Sequence, residues 1–185
     1  EIHKIIKTTP LHRVCFQNRQ NIVELLLRDP LVDPNCQDND GYTPLIWACQ
    51  QNNIQTIDIL LKNPHVIPTI QGKNGASALH WAAKKGRLNI LRLMISDTRF
   101  EPNVLDNHFK TPLHWAILDG KFRAALYLLS ENRIDVNAAD DEGYTPLHLA
   151  CQKGCLELVN AFLHHPRIEV NVVTRNNETP IDCAT

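Results

Sequence analysis

Four histidines keep a fixed interval in this chain: His12, His80, His114 and His148 occupy one position of a 34-residue period. Neutral imidazole is the commonest side-chain metal ligand, so such a row could hold a ladder of metal ions. Cys15, Cys49 and Cys151 follow the same period, three residues after the histidine position. His148, Cys151 and Cys155 have helical spacing that could converge on one metal. His12 with Cys15 could form a nucleophile–base pair, provided the imidazole kept the sulfur as a thiolate. Trp47, Trp81 and Trp115 make a third row, and Trp is enriched at binding hot spots.

Each row belongs to a longer recurring phrase. It reads Thr9-Pro10-Leu11-His12, Thr43-Pro44-Leu45-Ile46, Ser77-Ala78-Leu79-His80, Thr111-Pro112-Leu113-His114, Thr145-Pro146-Leu147-His148 and Thr179-Pro180-Ile181-Asp182. An unslipped period of this size marks a stacked repeat array. Within it, Ala83 and Ile117 take the place of the cysteines, so that position requires a small or apolar packing residue. A catalytic thiol needs a cleft and an activating neighbour, and no acid–base pair stands outside the repeat pattern. No glycine-rich phosphate loop occurs. The expectation is a chain that is not an enzyme and carries no cofactor and no metal.

Bulk composition agrees with a binding module. A chain of 185 residues, 43% of them hydrophobic, can bury a sizeable core as one domain. Nineteen basic and 20 acidic residues leave a net charge of -1, which argues against a general nucleic-acid binder. Six cysteines are too sparse for a disulfide framework. No apolar run approaches the roughly 18 residues of a membrane span. The chain opens without Met, in what reads as the end of a repeat, so the expectation is a piece of a larger protein.

One unit can be built from its residues. Thr145 is a good helix N-cap, and Pro146 suits the first helical position, where its missing N–H costs nothing. Gly154 ends the helix, and Asn18, Asn52, Gly86 and Gly120 hold the matching place, all residues that tolerate the left-handed region. A second helix follows, with Leu158, Val159, Phe162 and Leu163 on one stripe. Such helices, about two to three turns long, are unstable alone and must bury their stripes against neighbours. Then come an apolar anchor (Val32, Val66, Phe100, Ile134, Ile168) and a tight turn at Asp40-Gly41, Asn74-Gly75 and Glu142-Gly143.

This unit resembles the ankyrin repeat, and the resemblance covers nearly the whole chain. Units fall at 9–42, 43–76, 77–110, 111–144 and 145–178, with partial units at 1–8 and 179–185, in a single domain 1–185. Each is a 34-residue variant of a unit of about 33. Tetratricopeptide repeats share the period but lack the Asp-Gly tip. The resemblance implies an all-α repeat solenoid of stacked helix-turn-helix units with hairpin loops. It also implies that each motif His bonds its own Thr and neighbouring backbone. Asn137 and Asn171 fall where some family members are hydroxylated. Three departures stand out: Ser77-Ala78 for Thr-Pro, Asp182 for His, and Phe109 where Gly41, Gly75 and Gly143 stand. Phe109 must either accept positive φ or change the turn. Ile2, Ile5 and Ile6 are suited to covering the first repeat or to pairing with upstream sequence. Aligned Trp47, Trp81 and Trp115 are expected to form a ladder on the first helices, and Trp81→Ala to cost about 3–5 kcal/mol.

The positions that break the repetition are the candidates for recognition. They lie at the tips (Asn39, Asp40 and Tyr42; Lys73, Asn74 and Ala76; Asn107, His108 and Lys110; Asp141, Glu142 and Tyr144) and at first-helix ends (Gln50 and Gln51; Lys84 and Lys85; Leu118 and Asp119; Gln152 and Lys153). The family geometry puts both sets on one concave strip, acidic then basic then acidic, with Phe109 and Leu118 adding exposed apolar area. The expected partner-binding residues are Asp40, Tyr42, Gln51, Asn74, Lys84, Lys85, His108, Lys110, Leu118, Asp119, Glu142, Tyr144 and Lys153. The expected function is a protein–protein interaction module for a partner of mixed charge, with no nucleic acid, no membrane insertion and a monomeric state. The alternative is the targeting arm of a larger enzyme or bacterial effector. The expected location is cytoplasmic or otherwise intracellular, in the host cytosol for a secreted effector.

Overall fold

The computed structural model describes residues 8–184, so the expected cover from Ile2, Ile5 and Ile6 lies outside the described residues. Within them the chain forms α1 (Pro10–Phe16), α2 (Gln20–Leu27), α3 (Pro44–Gln51), α4 (Ile54–Lys62), α5 (Ala78–Lys84), α6 (Leu88–Ser96), α7 (Pro112–Leu118), α8 (Phe122–Leu129), α9 (Pro146–Gln152) and α10 (Leu156–Leu163). No strand occurs among the described residues. Each odd-numbered helix packs on the next odd-numbered one and on the even-numbered helix that follows it, and the even-numbered helices stack in a second row.

The recurring phrase explains how each odd helix starts. Thr111 caps α7: its Oγ1 accepts the His114 N–H, and its own N–H donates back to His114 Nδ1 at 3.1 Å. The imidazole thus plays the part of the usual Glu in a capping box. The helix ends are set by left-handed residues, with φ of 55° at Asn18, 64° at Asn52 and 66° at Gly86. At Gly86 the following bonds, Gly86 N–H to the Ala83 carbonyl and Arg87 N–H to the Ala82 carbonyl, form a Schellman closure.

Leu11, Leu45, Leu79, Leu113 and Leu147 of the phrase are all buried, as are Ile57, Ile90, Leu91, Leu128 and Phe162 from the second helices. Full burial of each such side chain contributes about 1.5–3 kcal/mol, which offsets the poor intrinsic stability of these short helices. Val66, Phe100 and Ile134 anchor the following segments in the core, whereas Val32 and Ile168, in the outermost units, are only half-buried.

Phe109 takes the strained choice. Its φ is +56°, beside +74° at Gly41 and Gly75 and +87° at Gly143. A left-handed non-glycine residue costs about 1–2 kcal/mol, and Phe109 recovers little by burial because it is 53% exposed. Phe109→Gly is therefore expected to raise stability by about 1 kcal/mol, read as a higher urea midpoint with an unchanged slope.

Two sets of side chains fasten one unit to the next, a role that the sequence did not assign to them, although Asn137 stood out there for another reason. Arg99 donates to the Leu61 carbonyl at 2.6 Å, Arg133 to Ile95 at 3.3 Å, and Arg167 to Ile134 at 3.0 Å. Asn35, Asn103 and Asn137 use both ends of their amides on the following unit. Asn137, for example, donates to the Arg167 carbonyl and accepts the Glu169 N–H. Both sets keep the 34-residue period, which is the signal that could have revealed them.

Candidate partner-binding strip

Most hairpin tips are held by two devices. The first is an Asp staple. Asp38 Oδ1 accepts the N–H groups of Asp40 and Tyr42, and Asp106 and Asp140 do the same in their tips. The second is the motif His, whose Nε2 reaches the carbonyl at the end of its own unit. The distances are 2.9 Å for His12 to Tyr42, 2.9 Å for His80 to Lys110, 3.1 Å for His114 to Tyr144 and 3.1 Å for His148 to Glu178. Because Nδ1 accepts the Thr or Ser N–H, the ring proton resides on Nε2 and donates to that carbonyl.

The motif imidazoles and two of the row cysteines are thereby committed to the fold. Both nitrogens of each motif His are engaged, and all four imidazoles are buried. Burial holds His12 and His80 below the ordinary imidazole range and His114 at about 4. Cys15 and Cys49 are fully buried, and burial pushes the Cys15 thiol up to about 12 and the Cys49 thiol further. Neither can be a thiolate near neutrality.

The tryptophans lie half-buried at the junction between tips and odd helices. The expected continuous ladder is broken. Trp81 and Trp115 meet edge to face at 5.8 Å, but Trp47 packs instead on His12 and Phe16, while Trp81 turns its other side to Tyr42. Trp47 Nε1 donates to Asp38 at 2.8 Å and Trp115 Nε1 to Asp106 at 2.7 Å. These carboxylates, nine residues earlier, are the partners that the sequence reading missed.

The candidate residues mostly pair with one another across units. Asp40 lies 3.6 Å from Lys73, Lys84 lies 3.9 Å from Asp119, and His108 lies 2.8 Å from Asp141. Lys110 lies 2.8 Å from the buried Asp140, whose carboxylate has no Trp to serve because Leu149 stands in that row. Lys84 also spans two indoles, with its Nζ 5.5 Å from the Trp81 ring centroid and 5.2 Å from that of Trp115. The Tyr144 hydroxyl donates to Glu178 at 3.3 Å, and the Asn74 carbonyl accepts the Asn107 N–H of the next tip. Gln51, Lys85, Glu142 and Lys153 are exposed and make no ion pair among the described residues. Leu118 is half-buried against the core rather than exposed, because the stack covers one side of α7. Phe109 alone supplies the expected apolar area there.

A recess of about 740 Å³ lies elsewhere, across α2, α4 and α6, walled by Ile59, Leu93 and the Lys62–Asp58 pair. It holds none of the candidate residues.

The stacked units and their caps are mirrored in known proteins. A family model described as ankyrin repeats, in three copies, matches residues 2–70, 64–140 and 98–174. The chain belongs to the ankyrin repeat family. No curated protein matches it closely enough to be counted as a relative. Among solved structures, this ankyrin array is similar to the ankyrin repeat domain of Bcl-3, described as a unique member of the IkappaB protein family. The two are 23% identical with a TM-score of 0.88, over 97% of this chain and 78% of that one. At that identity the likeness speaks for the fold. Ankyrin repeats are in general protein-interaction modules, and among the described residues no helix is long and apolar enough to cross a membrane.

Proposed function

We propose that this array recognises a protein partner through the strip formed by its hairpin tips and first-helix ends, without chemistry of its own. One observation carries the reading. The recurring Thr, His and Cys are consumed by capping and stacking, whereas Tyr42, Lys84 and Asp119, which break the period, join two of the recurring tryptophans in one connected row. Tyr42 touches Trp81, Trp81 touches Trp115, and Lys84 reaches Trp115 and Asp119. A solenoid presents such a row as an extended concave surface. Half-buried tyrosines and tryptophans offer large contact area at low entropic cost.

Pairing within the row alters the expected charge pattern. Lys110 is neutralised by Asp140 and Asp141, whereas Lys84 and Asp40 make only loose pairs at 3.9 and 3.6 Å, so affinity would rest on the aromatic edges and on Lys84, Lys85, Glu142 and Lys153. Charge would tune orientation and association rate. The test is affinity capture with the array beside a variant carrying Y42A, K84A, K110A and Y144A. The expected result is loss of the specifically captured protein with the helical spectrum retained. Equal capture by a folded variant would sink the reading. Whether the array is the targeting arm of a larger enzyme or effector is a separate proposal, read from the full-length sequence.

A further inference from the structure

Three units bring an indole to the same place beside a hairpin tip, and only two give it an acceptor. Trp47 and Trp115 donate to Asp38 and Asp106. For Trp81 the corresponding residue is Gly72, and Trp81 Nε1 is buried with no hydrogen-bond partner. Buried donors are almost always paired, so this one calls for an explanation. The room that an Asp side chain would need is taken by the Tyr42 ring, which would collide with any Cβ at position 72. The same ring meets Trp81 edge-on, with centroids 5.9 Å apart and planes at 90°.

The tip that carries Gly72 also lacks both the His strut and the Asp staple. It is held instead by the Gln71 amide, which donates to the Gly75 and Leu105 carbonyls, and by Asn74 Oδ1, which accepts the Ala76 N–H at 3.4 Å. Position 46 is Ile, so no imidazole reaches the Ala76 carbonyl, and without an Asp at 72 there is no staple. The other four tips keep a His strut, and they keep a staple from Asp38, Asp106, Asp140 or, more weakly, Thr174. Beside the unpartnered indole stands one loosely held cation, Lys84, 5.5 Å from the Trp81 ring centroid, and the same tip carries a second, Lys73. Lys84 has its nearest carboxylate at 3.9 Å, and Lys73 has its own at 3.6 Å. The place therefore offers a buried donor and positive charge but no resident acceptor.

We propose that this place receives an acidic side chain, Asp or Glu, from the partner protein. Its carboxylate displaces the Tyr42 ring, accepts the Trp81 N–H as Asp38 and Asp106 do for their indoles, and has Lys84 as counter-charge. The proposal rests on reading the strip as the docking face and names the chemistry recognised at its centre. The probe is a set of short randomised peptides selected on the whole chain. Selected peptides are expected to be enriched in Asp or Glu. A selected peptide should move the Trp81 indole N–H signal in a two-dimensional NMR spectrum towards those of Trp47 and Trp115, each assigned with a Trp→Phe variant. Changing the peptide's acidic residue to its amide should weaken binding by about tenfold or more. The double variant Tyr42→Ala, Gly72→Asp, which supplies an internal carboxylate, should weaken it equally. Absence of binders, binders without acidic residues, or binding that leaves the Trp81 signal in place would each overturn the proposal. If such peptides still need Tyr144 and Lys110, the docking face stands and only its acidic anchor falls. If they bind the four-residue variant unchanged, the docking face itself fails.

Discussion

Lowering the pH from 6.5 to 4 is expected to remove several kcal/mol of unfolding free energy from this array. The cause is the row of buried imidazoles. His114 has its Nδ1 facing the N–H and hydroxyl of Thr111 and its Nε2–H committed to Tyr144. A second ring proton would oppose the Thr111 N–H, force the Thr111 hydroxyl to turn, and put a buried charge on the ring, and burial holds its pKa at about 4. His12 and His80 are depressed in the same direction by the same cause. In the unfolded chain each would titrate near 6.5. Below pH 6.5 the unfolded state therefore binds more protons than the folded one, and stability falls with pH until the folded imidazole itself titrates. For His114 the gap corresponds to about 3 kcal/mol, fully present above pH 6.5 and lost by about pH 4. The depressed carboxyl of Asp97, held down chiefly by its hydrogen bonds with Arg99, adds a loss only at still lower pH, so the two windows separate. Urea midpoints at a series of pH values test this. His114→Gln should be less stable than the parent at pH 7.5 and nearly equal to it at pH 4. A parent midpoint that stays flat across the window would refute the assignment of a neutral imidazole ladder.

Trp115→Ala is expected to cost about 4 kcal/mol and Trp81→Ala only about 2–3 kcal/mol, although the two residues occupy equivalent positions. Both lose aromatic packing and the contact between them. Trp115 also serves Asp106, a buried residue only 7% exposed, whose Oδ2 accepts the indole N–H. Removing that donor leaves a buried carboxylate oxygen unpaired, a penalty of about 1–3 kcal/mol. Removing Trp81 strands no acceptor and eliminates a donor that was itself unpaired. Denaturant midpoints of the two variants provide the comparison, and a larger loss for Trp81→Ala would contradict it. The sequence-based figure for Trp81 treats it as a fully buried aromatic, and its half-buried setting brings the expected cost down.

Local devices were legible in the sequence because their parts lie close together in the chain. Thr and His three residues apart in one phrase give the cap, and Asn18 or Gly86 after the helix gives the left-handed close. Phe109 could be flagged because only a residue tolerating positive φ fits its place. The links between units were not legible, since they join residues about 30 to 38 positions apart and depend on how the units stack. Lys84 read as a partner contact at a helix end, and its place over two indoles from different helices gave no sign in the sequence. Leu118 read as exposed, yet stacking covers it. Gly72 carried no signal by itself. Its meaning appears only once Asp38 and Asp106 are seen to serve the tryptophans nine residues later.

The bare tip at 72–76 also bears on how the array holds together as a statistical chain. In a one-dimensional stack, cooperativity is the product of the couplings between neighbours. These couplings are uneven here, because the amide that joins units at Asn35, Asn103 and Asn137 is replaced by Thr69, which leaves Arg99, Gln71 and Asn107 to carry this junction. Thermal opening would thus favour a division between residues 76 and 77, at the expense of the Gln71–Leu105, Asn107–Lys73 and Arg99–Leu61 links. The curvature of the proposed binding face is then least fixed near the place where Tyr42 covers Trp81.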